Sequence, residues 1–207
     1  EGARSINHGA IKLMLDHMSP QQHLLMPTTN SAYGTGDENN YCDETSPLNP
    51  ISEYAKDKVE VEKMILGREN SISFRLATVF GVSPRMRIDL LVNDFTYRAV
   101  KDRFIVIFEG HFKRNYLHIR DVARVFLHSI SLFDSMRGEI YNVGLSDSNL
   151  SKIELCEAIQ KILPNFFFHE AEIGRDSDQR NYIVSNAKIE ATGFKPAYSL
   201  HQGILEL

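Results

Sequence analysis

The sequence has few cysteines and no run of basic residues. Its two cysteines, Cys42 in a loop and Cys156 in a predicted helix, indicate neither a disulfide framework nor a metal site. The net charge is −4. Nucleic-acid binding relies on clustered Lys and Arg that neutralise phosphates, so we predict no metal and no nucleic-acid partner.

Long apolar runs are also absent. A representative apolar stretch, Leu163–Phe168, is interrupted by Pro164 and Asn165, and a membrane-spanning helix needs about 20 apolar residues. No signal-like segment is visible at the N-terminus. We therefore predict a protein without a membrane partner, and the cytoplasm is the default location.

What the sequence does contain is a regular alternation of helical and extended patterns. Helices are predicted over residues 3–17, 51–66, 88–101, 119–132 and 150–163, and strands over 22–28, 71–77, 104–107, 139–143 and around 166–170 and 182–185. A long acidic loop occupies residues 35–49. Alternation of helices with apolar strands indicates an α/β fold with a parallel sheet.

The helix over 51–66 carries a tyrosine and a lysine one turn apart, Tyr54 and Lys58. Residues i and i+4 share a helix face, so the lysine charge is expected to lower the tyrosine pKa and make the phenol a usable base. The spacing alone is weak evidence, because roughly 0.4 such pairs arise by chance here. A second pair, Tyr97 and Lys101, is present, and either pair could be an ordinary exposed helix pair.

The residues before this helix distinguish the first pair from the second. An apolar run from His23 ends in Thr28 and Thr29, which predicts a strand that delivers Thr29 to its carboxyl end. Ligands bind at that end of open parallel sheets. The alternative is that the Thr29 hydroxyl only satisfies a backbone group.

In these features the chain resembles the extended short-chain dehydrogenase/reductase superfamily, the NAD-dependent epimerases and dehydratases that act on nucleotide sugars. The family pattern is a strand ending in Ser or Thr, a Tyr-Gly turn, and then Pro-x-Ser-x-Tyr-x-x-x-Lys-x-x-x-Glu. The matching residues are Thr29, Tyr33, Gly34, Pro50, Ser52, Tyr54, Lys58 and Glu62, with further matches at Phe74–Gly81, Lys113–Ala123, Tyr141–Gly144 and Asp178–Tyr182. The resemblance covers nearly the whole chain.

The resemblance implies a partial Rossmann-type parallel sheet with a smaller C-terminal α+β substrate-binding domain. The truncated NAD-binding domain would comprise residues 1–82 and 113–145, and the substrate-binding domain residues 83–112 and 146–207. It also implies NAD in preference to NADP, a nucleotide-diphosphate sugar as substrate, and a homodimer formed through helices 3–17 and 51–66.

The resemblance further assigns roles to individual residues. Tyr54 would be the base, Lys58 would hold the nicotinamide ribose, and Thr29 would hydrogen-bond the reacting sugar hydroxyl, with Thr28 also at the cofactor. The substrate-binding residues would be Thr78, Asn93, Arg114 and Arg180. Both arginines fall where the family places diphosphate-binding arginines, and a bidentate guanidinium suits that anion.

One part of the family pattern is missing. These enzymes begin with a glycine-rich turn that receives the cofactor pyrophosphate, and Gly34-Thr35-Gly36 cannot replace it because Asp37 and Glu38 follow. The sequence also begins at Glu1 within a predicted helix. We therefore expect a fragment of a longer enzyme that is inactive as an isolated chain.

The residues after Thr29 bear on the reaction. Sugar-nucleotide 4,6-dehydratases carry an Asp-Glu pair there, whereas this chain has Asn30 and Ser31, which supply neither acid nor base. The resemblance thus favours an epimerase, in which a sugar hydroxyl is transiently oxidised and then reduced on the opposite face. A reductase or dehydratase of the same family and a non-catalytic binding module are the alternatives.

Overall fold

A computed structural model of the chain describes residues 2–35, 41–174 and 180–207. Part of the predicted acidic loop and the Asp178–Gln179 part of the last family match lie outside the described residues. The helices are α1 Gly2–Arg4, α2 Ala10–His17, α3 Glu53–Leu66, α4 Leu91–Lys101, α5 Ile119–Ser131, α6 Phe133–Met136, α7 Lys152–Ile162, α8 Ala187–Ala191 and α9 Leu200–Glu206. The strands are β1 Leu24–Thr29, β2 Ser71–Leu76, β3 Thr78–Phe80, β4 Phe104–Ile107, β5 Lys113–His118, β6 Glu139–Val143, β7 Asn149–Ser151 and β8 Phe167–Glu170.

The central sheet is parallel, in the order β1-β2-β6. Thr29 of β1 pairs with Leu76 of β2, which in turn pairs with Val143 of β6, so the three strands end at one edge. With its flanking helices, this sheet confirms the predicted α/β fold class with a parallel sheet. Two smaller sheets follow the orders β3-β5-β7 and β4-β8.

The helix that carries Tyr54 is fixed against the first strand. Ser52 caps α3 by accepting a hydrogen bond from the Ala55 amide, as Ser does at helix N-termini. Val61 and Ile65 on its inner face are fully buried and pack against Leu24 and Met26 of β1. Apolar packing is therefore one of the contacts that set the position of α3 relative to β1.

Two larger apolar clusters complete the core. One joins β2, β6 and α5 through residues such as Phe74 and Val125, and it includes Phe194. The other joins α4, α7 and α9 through Val92 and Leu155. Phe194 thus packs with the predicted cofactor-binding part although it lies in the predicted substrate-binding range, and the domain division stays a prediction.

Several details differ from the sequence-based expectations. The first helix is not uniform, because Ser5–Gly9 is π-helical between α1 and α2. The predicted strand over 182–185 is wrong: Val184 makes one isolated bridge to Cys42, and its amide and carbonyl bond to the Asn149 side chain. A side chain thus occupies the hydrogen-bonding groups that a neighbouring strand would use.

The strands β3, β5 and β7 were not predicted. Three residues, as in β3 and β7, are too few to show an alternating pattern, and β5 is buried at five successive positions that include the polar Arg114 and Asn115. Among the described residues, no helix combines the length and apolarity that crossing a bilayer requires.

Candidate active site

A cavity of about 710 Å³ opens at the carboxyl ends of β1 and β2, the end of a parallel sheet where ligands bind. It contains six of the predicted site residues: Thr28, Thr29, Tyr54, Lys58, Thr78 and Arg180. The other described lining residues are Pro27, Ser31, Ser52, Leu76, Ala77, Val79, Arg87, Leu90 and Tyr182. Its size is typical of sites for small molecules.

The end of β1 presents a pair of hydroxyl groups to the cavity. The Thr29 hydroxyl donates to Ser31 Oγ at 3.0 Å and accepts from the Ser31 amide at 3.1 Å, which caps a short 3₁₀ turn, Asn30–Tyr33. Gly34 follows at φ +66°, and an added Cβ would lie 1.9 Å from the Asn49 carbonyl oxygen. Only glycine fits there, so the turn holds Thr29 and Ser31 at the cavity wall.

Thr28 has a different environment from Thr29. Its hydroxyl lies within 3.2 Å of Glu62 Oε2, 3.0 Å of Ser73 Oγ and 3.1 Å of the Phe74 carbonyl oxygen. The Thr28 hydroxyl therefore already has hydrogen-bond partners within the protein. A cofactor contact from this residue would come from its main chain.

Tyr54 and Lys58 lie together at the cavity, but the predicted electrostatic relation between them is wrong. The Lys58 ammonium lies 5.9 Å from the Tyr54 ring centroid and donates to the Pro27 carbonyl at 3.2 Å. Burial raises the pKa of Tyr54, and the charges that oppose this rise are those of Arg180 and Arg87. Burial lowers the pKa of Lys58. The net pKa of Tyr54 is thus raised rather than lowered.

The two arginines assigned to the diphosphate lie in different places. Arg180 lines the cavity, and its Nη1 donates to Ser31 Oγ. Arg114 is 3% exposed, donates to the Lys113 carbonyl at 2.9 Å, and lies 5.8 Å above the Tyr182 ring. The structure therefore brings Arg180, and not Arg114, to the described cavity wall.

Asn93 also lies away from the described cavity wall. Its side-chain oxygen accepts from the Gly81 amide at 3.0 Å, and its nitrogen donates to the Arg87 carbonyl at 2.9 Å. These contacts hold the segment that follows β3. Asn93 therefore supports Arg87, a cavity residue that the sequence reasoning missed. The sequence feature that could have indicated Arg87 is its position shortly after Gly81, the glycine that follows β3.

A buried polar network connects α3 to the sheet. The Glu62 carboxylate accepts from Ser73 Oγ and from Nε and Nη2 of Arg75, with the shortest distance 2.6 Å. Arg75 Nη1 donates to the Tyr33 hydroxyl at 3.0 Å, which donates to Asn142 Oδ1 at 2.7 Å. The network links α3, β2, the turn after β1, and β6.

The side chain of Asn30 is buried beside the site. Its residue exposure is 1%, and neither polar atom of its amide has a partner in the described part of the chain. Neither Asn30 nor Ser31 carries a carboxyl group, so the pair cannot perform acid–base chemistry. Within residues 2–35, 41–174 and 180–207, no group of three His, Cys, Asp or Glu side chains could hold a metal ion.

Comparisons with known proteins connect this cavity to a family. The family model described as NAD dependent epimerase/dehydratase matches residues 6–144. The dTDP-D-glucose 4,6-dehydratase of Mus musculus is 27% identical over 86% of this chain and 52% of that protein. A putative UDP-glucose 4-epimerase of Methanocaldococcus jannaschii is 26% identical over 81% of this chain and 56% of that protein.

Comparison with solved structures identifies the same fold in proteins of this kind. The UDP-glucuronic acid 4-epimerase of Bacillus cereus, solved with UDP-glucuronic acid and NAD, superposes with a TM-score of 0.82 at 19% identity, covering 97% of this chain and 65% of that one. At this identity the likeness concerns the fold. The chain spans between half and two thirds of the length of these proteins.

Proposed function

This chain belongs to the NAD dependent epimerase/dehydratase family, and we propose that it forms the catalytic and substrate-binding part of a nucleotide-sugar epimerase. The observation that carries the proposal is the meeting of Tyr54, Lys58 and Thr29 at one cavity without an acid–base pair at Asn30 and Ser31. The relatives include both dehydratases and epimerases, and this local chemistry is what supports the epimerase reading.

The described residues fit the nicotinamide half of NAD, which when bound would accept and return the hydride. Tyr54, Lys58 and Thr28 would hold it, because all three line the cavity and the phenol and ammonium supply hydrogen-bond donors. In the proposed reaction Tyr54 takes the proton from the sugar hydroxyl and later returns it. Thr29 orients that hydroxyl from the end of β1, and Lys58 adds positive charge beside the ring.

Positive charge is important because the Tyr54 phenol is otherwise a poor base near neutral pH. Burial raises its pKa, whereas Arg180 and Arg87 act in the opposite direction by favouring the phenolate. The site therefore depends on cations from two loops in addition to the lysine of the family pattern.

The competing reaction, dehydration, would need groups that this site lacks. Elimination of water from C5 and C6 of the sugar removes a proton from C5 and protonates the leaving hydroxyl, so it requires a second base and an acid. Asn30 and Ser31 supply neither. A reductase would need stoichiometric reduced cofactor, and a binding module would form no product.

The proposal is tested by product analysis in D₂O with the complete enzyme, NAD, and UDP-glucose, UDP-glucuronate or dTDP-glucose. An epimerase should give a product of unchanged mass with no deuterium on carbon, because the hydride leaves and returns on the cofactor. Loss of water with deuterium uptake would show a dehydratase, and net consumption of reduced cofactor a reductase. Nucleotide-sugar binding without any product would support the module alternative.

We also propose that the chain assembles as a homodimer through the segment 2–17 and α3. Ile6 and Leu13 are 72% and 61% exposed on this segment, and Ile51 just before α3 is 50% exposed. Light scattering should report a dimer, and Leu13→Glu should shift it towards monomer, because a buried charge is costly at an apolar interface. Ile173→Glu, at an 88% exposed position elsewhere, is the matched control. A wild-type monomer at high concentration would contradict the proposal.

A further inference from the structure

The small sheet β4-β8 leaves one apolar face open to solvent. Its two strands are parallel, and Phe104 pairs with Phe167 in register. Successive side chains of a strand point to opposite faces. Ile105 and Ile107 are accordingly buried in the core, whereas Phe104 and Val106 are 49% and 44% exposed, and Phe167 is 62% exposed. The outer face of this sheet is therefore apolar along both strands.

This outer face is unusual for a parallel sheet, because parallel sheets occur almost only with both faces covered. Phe108, directly after β4, is also exposed and continues the series of Phe104 and Val106. We refer to Phe104, Val106, Phe108 and Phe167 as the apolar face. Contiguous exposed patches of large apolar side chains mark interaction sites, so we expect the apolar face to be covered by another molecule.

The two ends of the apolar face differ in charge. Lys101 and Arg103, with Asp102 between them, are exposed where β4 begins. Glu170 and Glu172 are exposed where β8 ends. Because the strands are parallel, both strands begin at one end of the sheet and finish at the other. The face thus has a basic end and an acidic end, and these features restrict what can pack on it.

We propose that the apolar face packs against the same face of a second copy of this chain, with the strands of the two copies antiparallel. A two-fold contact uses one patch on both copies, and it can bring two sheets face to face with their strands either parallel or antiparallel. The parallel arrangement would place Arg103 near Arg103 and Glu172 near Glu172. The antiparallel arrangement places the basic end of each copy on the acidic end of the other, and such complementarity fixes the register of a contact.

The size of the face predicts a weak contact. The three phenylalanines together leave roughly 300 Å² exposed, if each ring residue offers about 200 Å². Standard interfaces bury about 800 Å² on each partner, and smaller ones are transient. The contact is therefore expected to form only at high protein concentration. It uses a different surface from the segment 2–17 and α3, so it would join two of the helix-mediated dimers.

Sedimentation equilibrium of the Leu13→Glu chain tests this contact alone, since that change weakens the helix-mediated contact proposed above. We expect the Leu13→Glu chain to dimerise as its concentration rises towards about 1 mM, the range of weak association. Adding Phe167→Glu should lower the association constant at least about 10-fold, because it buries a charge in an apolar contact. Adding Leu127→Glu, at a 67% exposed position on α5, is the control and should leave it unchanged. A chain that stays monomeric, or equal effects of the two additions, would overturn the proposal.

Charge reversal tests the antiparallel arrangement. In the same background, Arg103→Glu and Glu172→Arg should each weaken self-association about 10-fold at low salt, because each places like charges together. An equimolar mixture of the two variants should associate as the unreversed chain does, because every contact between unlike copies then joins opposite charges. A mixture that associates no better than either variant alone would overturn the proposal. Circular dichroism of each variant verifies that a lost association reflects the surface and not the fold.

Discussion

A Tyr54→Phe variant of the complete enzyme is expected to turn over its nucleotide sugar about 10²–10⁴-fold more slowly than the parent, the usual loss when a general base is removed. The change keeps the ring and removes the phenol oxygen of Tyr54, a residue that lines the cavity together with Thr29, Arg87 and Arg180. Most binding energy would come from the nucleotide and diphosphate, so steady-state kinetics should show a fall in kcat with little change in KM.

The chain supplies a matched control for this variant. Tyr97 and Lys101 have the same spacing on α4, and the Lys101 ammonium lies 5.3 Å from the Tyr97 ring centroid. Tyr97 is 44% exposed, close to the 46% of Tyr54, but it is not among the described cavity residues. Tyr97→Phe should therefore retain parental turnover. If it abolished turnover while Tyr54→Phe did not, the active-site assignment would be wrong.

The two Tyr-Lys pairs also show what the sequence predicts well. They are equivalent in spacing, exposure and ring–ammonium distance, and what distinguishes them is the strand that ends at Thr29. Strand ends in a parallel sheet meet at one edge, so an apolar run followed by hydroxyl residues was enough to place Thr29 near Tyr54. The parallel α/β architecture followed from the same alternation.

The sequence predicted the charge distribution of the site less well. Helical spacing puts Lys58 on the same face as Tyr54, but it does not show that the ammonium donates to the Pro27 carbonyl. The cations that favour the phenolate, Arg87 and Arg180, come from segments far apart in sequence. The family pattern predicted Arg180, but for the diphosphate, and Arg87 was missed because a loop arginine has no periodic signal.

Arg114 is a residue that the sequence assigned to the site but that the structure places away from the described cavity wall. Its position in a family-like segment suggested a diphosphate contact, but the β5 strand that contains it pairs with β7 and turns its guanidinium over the Tyr182 ring. The strand β7 is only three residues long, so nothing in the sequence indicated this pairing. Tertiary contacts of short strands determine which arginine reaches the described cavity wall.

The buried contacts of Glu62 show how α3 is held relative to the sheet. Its side chain is 5% exposed and that of Arg75 is 3% exposed, with 2.6 Å between Oε1 and Nη2. The same carboxylate accepts from the Thr28 hydroxyl at 3.2 Å, directly before Thr29. One carboxylate therefore links the helix that carries Tyr54 to the strand that carries Thr29.

Glu62→Gln should lower the free energy of unfolding by about 3–5 kcal/mol, because removing one partner leaves the Arg75 charge buried without its counter-ion. Urea denaturation of the 207-residue chain measures this value. Glu60→Gln is the control: Glu60 lies on the same helix, its partner Arg4 is 53% exposed, and exposed pairs contribute little.

A double variant, Glu62→Met with Arg75→Met, should recover part of the loss, since apolar replacement of a buried pair is often tolerated. If Glu60→Gln and Glu62→Gln destabilise equally, the buried pair does not hold α3 to the sheet, and the geometry linking Tyr54 to Thr29 must come from apolar packing alone.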